Sequence, residues 1–205
     1  MKKINTRKEL TKLFEQKRYL NKGVEVGSFN GGFASEILEN WQGNLYLVDV
    51  WRKLESDDYF DTSNYEIEGE IYLECAKRTS SYANRCFMLR MDSENASYLF
   101  NDNSLDFVYI DANHKYDSVK QDIDLWYSKV RKGGILAGHD YLGLDWYNDP
   151  NFLENKKDKY IWSDNSENVA AGIFGVNPAV DEFVKKNDHE LHITDEWWGT
   201  WFIIK

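Results

Sequence analysis

GVEVGSFNGGFASEIL, residues 23–38, is the stretch whose reading decides the fold of this chain. A short apolar run ends at Gly27, a glycine-containing turn follows, and Phe33, Ala34, Ile37 and Leu38 then recur at helical spacing. Strand, tight turn and helix form the opening unit of an α/β sheet. Gly27 and Gly31 permit tight turning and close approach of a ligand, and the helix start offers backbone N–H groups without partners. Phe29 stands where a dinucleotide fingerprint carries its middle glycine, so a pyrophosphate lying on the backbone is disfavoured. Glu25 lies inside the strand, and a buried carboxylate needs partners. It can orient backbone N–H groups or accept from a ligand ammonium.

Outward from this unit, apolar runs alternate with helical patterns. TRKELTKLFEQKR (6–18) reads as an amphipathic helix, NLYLVDV (44–50) as the next strand with Asp49 near its end, and CFMLR (86–90) as a third strand. A helix is expected from about Glu66, with Ile67, Ile71 and Cys75 four apart, and a short one after Asp92. FVYI (107–110) is continuously apolar, as a parallel strand covered on both faces requires. Val119, Ile123, Trp126 and Val130 mark the clearest helix, with Lys132-Gly133-Gly134 expected to end it and ILAG (135–138) to open a further strand. Asn177 and Pro178 read as the N-cap and first residue of a late helix, and ELHIT and GTWFIIK as closing strands. The alternation predicts an open, mostly parallel α/β sheet with an antiparallel pair at one edge. Ligands of such sheets bind at the carboxyl ends of the strands, where every polar cluster of this chain falls.

Composition narrows the function classes. With 205 residues, 42% of them hydrophobic, the chain is expected to form one domain, residues 1–205, around one substantial core. A net charge of -10 repels nucleic acid and anionic membranes, leaving a small molecule or glycan as the expected partner. Cys75 and Cys86 lack a metal-binding spacing and are too few for a disulfide scaffold. No apolar run is long enough to span a bilayer and MKKINTRKEL leads into no signal core, so a cytoplasmic location is expected.

Two clusters at strand ends carry chemistry. Asp111, Asn113 and His114 follow the fourth strand, and His139 and Asp140 follow the fifth. Neighbouring strands would bring them together, and two carboxylates with imidazoles nearby can hold a hard divalent cation. Mg2+ or Mn2+ suits the oxygen-rich set, and zinc suits it if both histidines ligate. Capping of the next helix by Asp111 and of a loop by Asp140, with His114 on the surface, is the alternative reading. Asp49, 18 positions beyond Gly31, is suitably placed for the two hydroxyls of a ribose.

Glu25-x-Gly27-x-x-x-Gly31, followed by Asp49 after an apolar strand, resembles the cofactor site of class I S-adenosylmethionine-dependent methyltransferases. The resemblance covers nearly the whole chain, including PAVDEFVKKN (178–187) and the final strand pair. It implies a Rossmann-like, mostly parallel seven-stranded sheet with the last strand antiparallel and helices on both faces. It further implies S-adenosyl-L-methionine as cofactor, with Gly27 and Gly31 against its methionine part, Asp49 on the ribose, and Asp92, with Ser93 beside it, facing the adenine; Glu25 and Ser28 are further cofactor-binding candidates. Trp51 is a second candidate to cover that adenine. IDANHKYDSV (110–119) and GGILAGHDY (133–141) are similar to segments of metal-dependent sugar and small-molecule O-methyltransferases. That similarity implies Asp111 and Asp140 as metal ligands, with His139 a further candidate, and His114 as the base that takes the acceptor's proton.

Aromatic residues of the irregular stretches suit sugar stacking: Trp51, Tyr59, Phe60 and Tyr65 in the first, Tyr141, Trp146, Tyr147 and Trp162 in the second. Core packing or a homo-oligomer contact explains them equally well. His189, His192, Trp197, Trp198 and Trp201 are read as structural. The expected function is O-methylation of a hydroxyl on a sugar, glycan or other small molecule. Two alternatives stay open: a non-catalytic S-adenosylmethionine-binding accessory or sensor protein, and an NAD(P)-dependent oxidoreductase, which Phe29 disfavours.

Overall fold

The computed structural model describes residues 3–17, 20–52, 69–142, 175–196 and 198–205. In chain order its main elements are α1 (Arg7–Lys17), β1 (Lys22–Val26), α2 (Gly32–Asn40), β2 (Asn44–Asp49), α3 (Glu70–Thr79), β3 (Cys86–Arg90) and α4 (Ser93–Ser97). Then follow β4 (Leu105–Ile110), α5 (Tyr116–Lys129), β5 (Val130–Leu142), α6 (Val176–Asn187), β6 (His192–Ile193) and β7 (Trp198–Ile204). The strands make one seven-stranded sheet in the order β3-β2-β1-β4-β5-β7-β6. Strands β1 to β5 pair in parallel, and β7 runs antiparallel to both β5 and β6. The open, mostly parallel sheet expected from the alternation is observed, with the seven strands and antiparallel last strand that the resemblance implies.

Side-chain alternation along the strands builds two cores, one on each face. Val24, Val26, Val108, Ile110 and Leu136 pack with Val119, Ile123 and Trp126 of α5 and Val180 and Phe183 of α6. Leu45, Leu47, Phe107, Tyr109, Ile135 and Ala137 pack with Leu10 and Phe14 of α1 and Ile37 and Leu38 of α2. All six residues of β4 are buried; FVYI is apolar or aromatic throughout, while Asp106 is paired with Arg131 at 2.7 Å. Glu25 pairs in register with Leu47 and Tyr109, so its side chain faces the second core. The chain reaches β3 at one edge and then crosses back to place β4 beside β1. The topological switch point therefore lies between the ends of β1 and β4, where this architecture binds ligands.

Three boundaries differ from expectation. The helix after the site ends at Lys129, and Val130 already begins β5, so the Gly133-Gly134 pair lies inside a strand. Gly133 adopts φ 73°, and the register jumps from Leu105↔Val130 to Phe107↔Ile135: the glycines form a bulge and not a helix stop. The N-cap of α6 is Gly175, which puts Asn177 and Pro178 within the first turn. A Cβ at Gly175 would lie 2.0 Å from the Tyr116 nitrogen, so tight packing decides that cap in place of side-chain preference. The stretch ELHIT contributes only a two-residue strand.

Candidate active site

The turn after β1 is held by its neighbours. Gly27 adopts φ 87°, and a Cβ there would lie 2.1 Å from the Asp111 carbonyl oxygen, so this glycine lets the β1 and β4 ends approach. That approach is fixed by the Asp111 N–H donating to the Val26 carbonyl at 2.7 Å. Gly31 adopts φ 75° and its missing Cβ would meet Cys75 Sγ at 2.9 Å. Both glycines thus serve close packing within the chain. Asp49 staples the turn to β2: Oδ2 accepts from the Phe29 N–H at 2.9 Å and Oδ1 from the Trp51 N–H at 2.8 Å.

Glu25 is 2% exposed, and among the described residues its Oε2 has no hydrogen-bond partner. Burial pushes its carboxyl up to about 8, against a lowering hydrogen bond from Ser28. A buried acid left incompletely paired at a strand end is a costly arrangement unless a ligand donor completes it. It fits the ammonium expected from the sequence.

Residues 111–114 and 139–140 do converge. Ligand atoms of Asp111, His139 and Asp140 all lie within 4.8 Å of one another, and Asp140 is 8% exposed. A bulge in β5 makes this possible: the register passes from Gly138↔Trp201 to Tyr141↔Gly199, and Asp140 takes φ 60°. Two consecutive residues can then face one site, which a regular strand forbids. His139 Nδ1 lies 3.0 Å from Asp140 Oδ1, and His114 Nε2 lies 2.5 Å from Asp140 Oδ2 and 3.8 Å from Asp111 Oδ1. Burial opposes charge on His139, but the Asp140 hydrogen bond and the charges of Asp111 and Asp140 outweigh it and raise its pKa. Burial likewise opposes the charge of Asp140, but hydrogen bonds from His114 and His139 hold it far below the usual carboxylate range. Asn113 shapes the turn through its Oδ1, which accepts from the Lys115 N–H at 2.8 Å, and the Gly175 N–H donates to the His114 carbonyl at 2.8 Å.

Other expected cofactor contacts are engaged elsewhere. Trp51 is 1% exposed, packs edge-on against Tyr72, and donates its Nε1–H to the Phe29 carbonyl at 2.7 Å. Its ring belongs to the core and offers no open face to an adenine. Ser93 donates to Asp122 Oδ1 at 2.5 Å and accepts from Trp126 Nε1 at 2.8 Å, which spends its hydroxyl beneath α5. Asp92 caps α4, with Oδ1 accepting from the Asn95 N–H at 2.9 Å and Oδ2 from Asn95 Nδ2 at 2.8 Å. It remains exposed at the end of β3. Ser28 is buried and donates to the Glu25 carbonyl at 3.3 Å. Tyr59, Phe60, Tyr65, Trp146, Tyr147, Trp162 and Trp197 lie outside the described residues. Tyr141 packs in the core and donates to Asp181 at 2.7 Å. His189 is bonded to Tyr127 at 2.9 Å and His192 stacks on Phe202, both structural as expected.

One residue near the site went unread in the sequence. Arg7, at the start of α1, stands with its guanidinium 5.0 Å from the Phe33 ring centre. Burial opposes its charge, but Tyr109, Asp111 and Glu36 outweigh that and raise its pKa. Its sequence signal was only the polar face of an amphipathic helix.

This architecture, with its glycine turn at the switch point and acids closing β2 and β4, is that of the Rossmann-like methyltransferases. The chain belongs to the methyltransferase-domain family, whose model matches residues 24–141. An uncharacterized protein of Acanthamoeba polyphaga mimivirus is 27% identical over 129 residues, 60% of this chain and 52% of that protein. This chain thus spans about half the length of the curated relative it matches. An O-methyltransferase family protein of Burkholderia thailandensis shares the fold with a TM-score of 0.61 at 11% identity, covering 96% of this chain and 55% of that one. The O-methyltransferase TomG of Streptomyces achromogenes, solved in complex with SAM and involved in tomaymycin synthesis, gives a TM-score of 0.56 at 12% identity, over 95% and 78% of the two chains. Among the described residues no helix is long and apolar enough to cross a membrane.

Proposed function

We propose that this chain is an S-adenosylmethionine-dependent O-methyltransferase acting on a hydroxyl of a sugar, glycan or other small molecule, with the help of a divalent cation. The observation that carries the reading is the convergence of Asp111, His139 and Asp140, with His114 against Asp140, directly beside the glycine turn. A site built only to bind the cofactor has no use for that second cluster. The shared fold with TomG, which was solved with SAM, supports the choice of cofactor.

Glu25 and the turn between Gly27 and Gly31 would hold the methionine part, and Asp49 the ribose. S-adenosylmethionine, when bound, supplies a methyl group on a sulfonium for in-line displacement by an oxygen nucleophile. Asp111, His139 and Asp140 would hold the cation, whose charge would make a nearby acceptor hydroxyl more acidic. His114 borders the same space and would take the hydroxyl proton on its imidazole ring, a contribution of roughly 10²–10⁴-fold. Asp140 Oδ2, 2.5 Å from His114 Nε2, orients the ring. Holding donor and acceptor in line supplies much of the remaining acceleration.

Calorimetry of the whole chain against S-adenosylmethionine and against NAD, each with and without magnesium, tests the reading. Binding of the first and not the second supports it. Absence of S-adenosylmethionine binding removes it, and binding of NAD instead returns the oxidoreductase.

A further inference from the structure

Arg7 has no part in the chemistry described so far, yet it stands among groups that have. Its guanidinium lies over Phe33, in the first turn of α2, and its charge acts on Tyr109, Asp111 and Glu36. Its side chain hydrogen-bonds Tyr109, the register partner of Glu25 on β4, and its charge lowers the pKa of Glu25 and of His139. The arginine is anchored from behind: its backbone N–H donates to Glu196 Oε2 at 2.7 Å, which ties α1 to the segment before β7.

Two positive influences meet at this place. One is the guanidinium. The other is the N-terminus of the nine-residue helix α2, which has no acidic residue in its first turn and only Gly31 at its N-cap. Against them stands Glu25, 98% buried, with Oε2 lacking a partner among the described residues. A cation, and near it an incompletely paired acid that an ammonium ligand would hold as carboxylate, are complementary to a zwitterion. The methionine end of S-adenosylmethionine is one, with an α-carboxylate as its single anionic group and an α-ammonium beside it.

Resting on the cofactor reading above, we infer that Arg7 binds the α-carboxylate of S-adenosylmethionine, while Glu25 accepts from the α-ammonium. Arg7 is thereby a specificity-determining residue for the amino-acid end of the cofactor, supplied by a helix that precedes the family-matched residues 24–141. A planar fork over an aromatic ring is a geometry suited to bidentate carboxylate recognition.

The test compares two ligands on three proteins by calorimetry: S-adenosylmethionine and its decarboxylated form, on the wild-type chain, Arg7→Gln and Arg7→Lys. The wild type is expected to prefer the carboxylated ligand by roughly 10- to 100-fold, the range of a charge-assisted hydrogen-bonded pair. Arg7→Gln should lose that preference while binding the decarboxylated ligand about as well as wild type does, within about 3-fold. Arg7→Lys, which keeps the charge without the fork, should retain part of it. Circular dichroism establishes that each variant is folded, and Arg7→Lys carries the test if Arg7→Gln is not. A full preference kept by the folded variants overturns the inference while leaving the cofactor reading intact. Failure of the wild type to bind either ligand overturns both.

Discussion

His114 Nε2 lies 2.5 Å from Asp140 Oδ2, so the imidazole after β4 and the carboxylate in the bulge of β5 share one site. His139 occupies the other oxygen of the same carboxylate at 3.0 Å. Asp140 is therefore the hub of the cluster, and the two histidines approach it from different sides. Only one of them needs to act as a base, and His114 is the one whose loop is tied both to Gly175 and to the Asn113 turn.

Replacing His114 by Ala should lower turnover by roughly 10²–10⁴-fold, the scale of a positioned general base. Affinity for S-adenosylhomocysteine should stay within about 3-fold, because the glycine turn and Asp49 do not depend on that side chain. Kinetics paired with calorimetry checks this. Equal losses in both would assign His114 to cofactor binding or to folding.

Asp111→Asn should weaken Mn2+ binding by at least about 10-fold, since it removes one of two anionic ligands from the candidate set. Chelation of the wild type should abolish methyl transfer, and added Mg2+ or Mn2+ should restore it. Titration of Mn2+ into both proteins reads the first effect, and an unchanged affinity would remove Asp111 from the metal site.

Glu25 sets a pH dependence whose sign follows from its burial. Its folded-state pKa of about 8 lies above the ordinary 4.5, so the folded chain keeps a proton that the unfolded chain releases. The stability this contributes is full below about pH 4.5 and is lost as pH rises through about 8. Glu25→Gln stays neutral throughout. Its stability relative to wild type should therefore rise between about pH 5 and about pH 9, by at most roughly 1.4 kcal/mol per unit of the pKa separation. Urea unfolding across that range measures it. The same variant should bind S-adenosylhomocysteine more weakly, and a variant that gains nothing at high pH would show that Glu25 is not buried uncompensated.

Ser93→Ala should destabilise the fold by about 1–3 kcal/mol, because Trp126 Nε1 and the buried Asp122 both lose a partner. Cofactor affinity should change little, although its position after β3 suggested a ligand contact. Denaturation and calorimetry separate the two outcomes, and a large affinity loss with unchanged stability would return Ser93 to the cofactor site.

The sheet was legible because buried parallel strands carry apolar runs such as FVYI, every residue of which is buried in β4. The strand ends were legible for a related reason: Asp49, Asp111 and Asp140 each follow such a run, where a soluble core would otherwise simply turn. What could not be read is geometry that depends on distant partners. Ser93 finds Asp122 across the chain, and Arg7 reaches groups of β4 and α2. The Gly133-Gly134 pair has the composition of a helix stop, and only pairing with β4 makes it a strand bulge. The bulge that turns His139 and Asp140 toward one site likewise has no local signature, since Asp140 adopts φ 60° without being glycine. Trp51 has the same lesson, because nothing in its neighbours says that its ring faces inward.

The most direct test is a crystal of the chain soaked with S-adenosylhomocysteine and Mn2+, with anomalous scattering recorded. Cofactor density is expected along the turn from Gly27 to Gly31, with the ribose at Asp49, and an anomalous peak among Asp111, His139 and Asp140. Cofactor density elsewhere, or a fully occupied cofactor with no anomalous peak at those three residues, would contradict that arrangement.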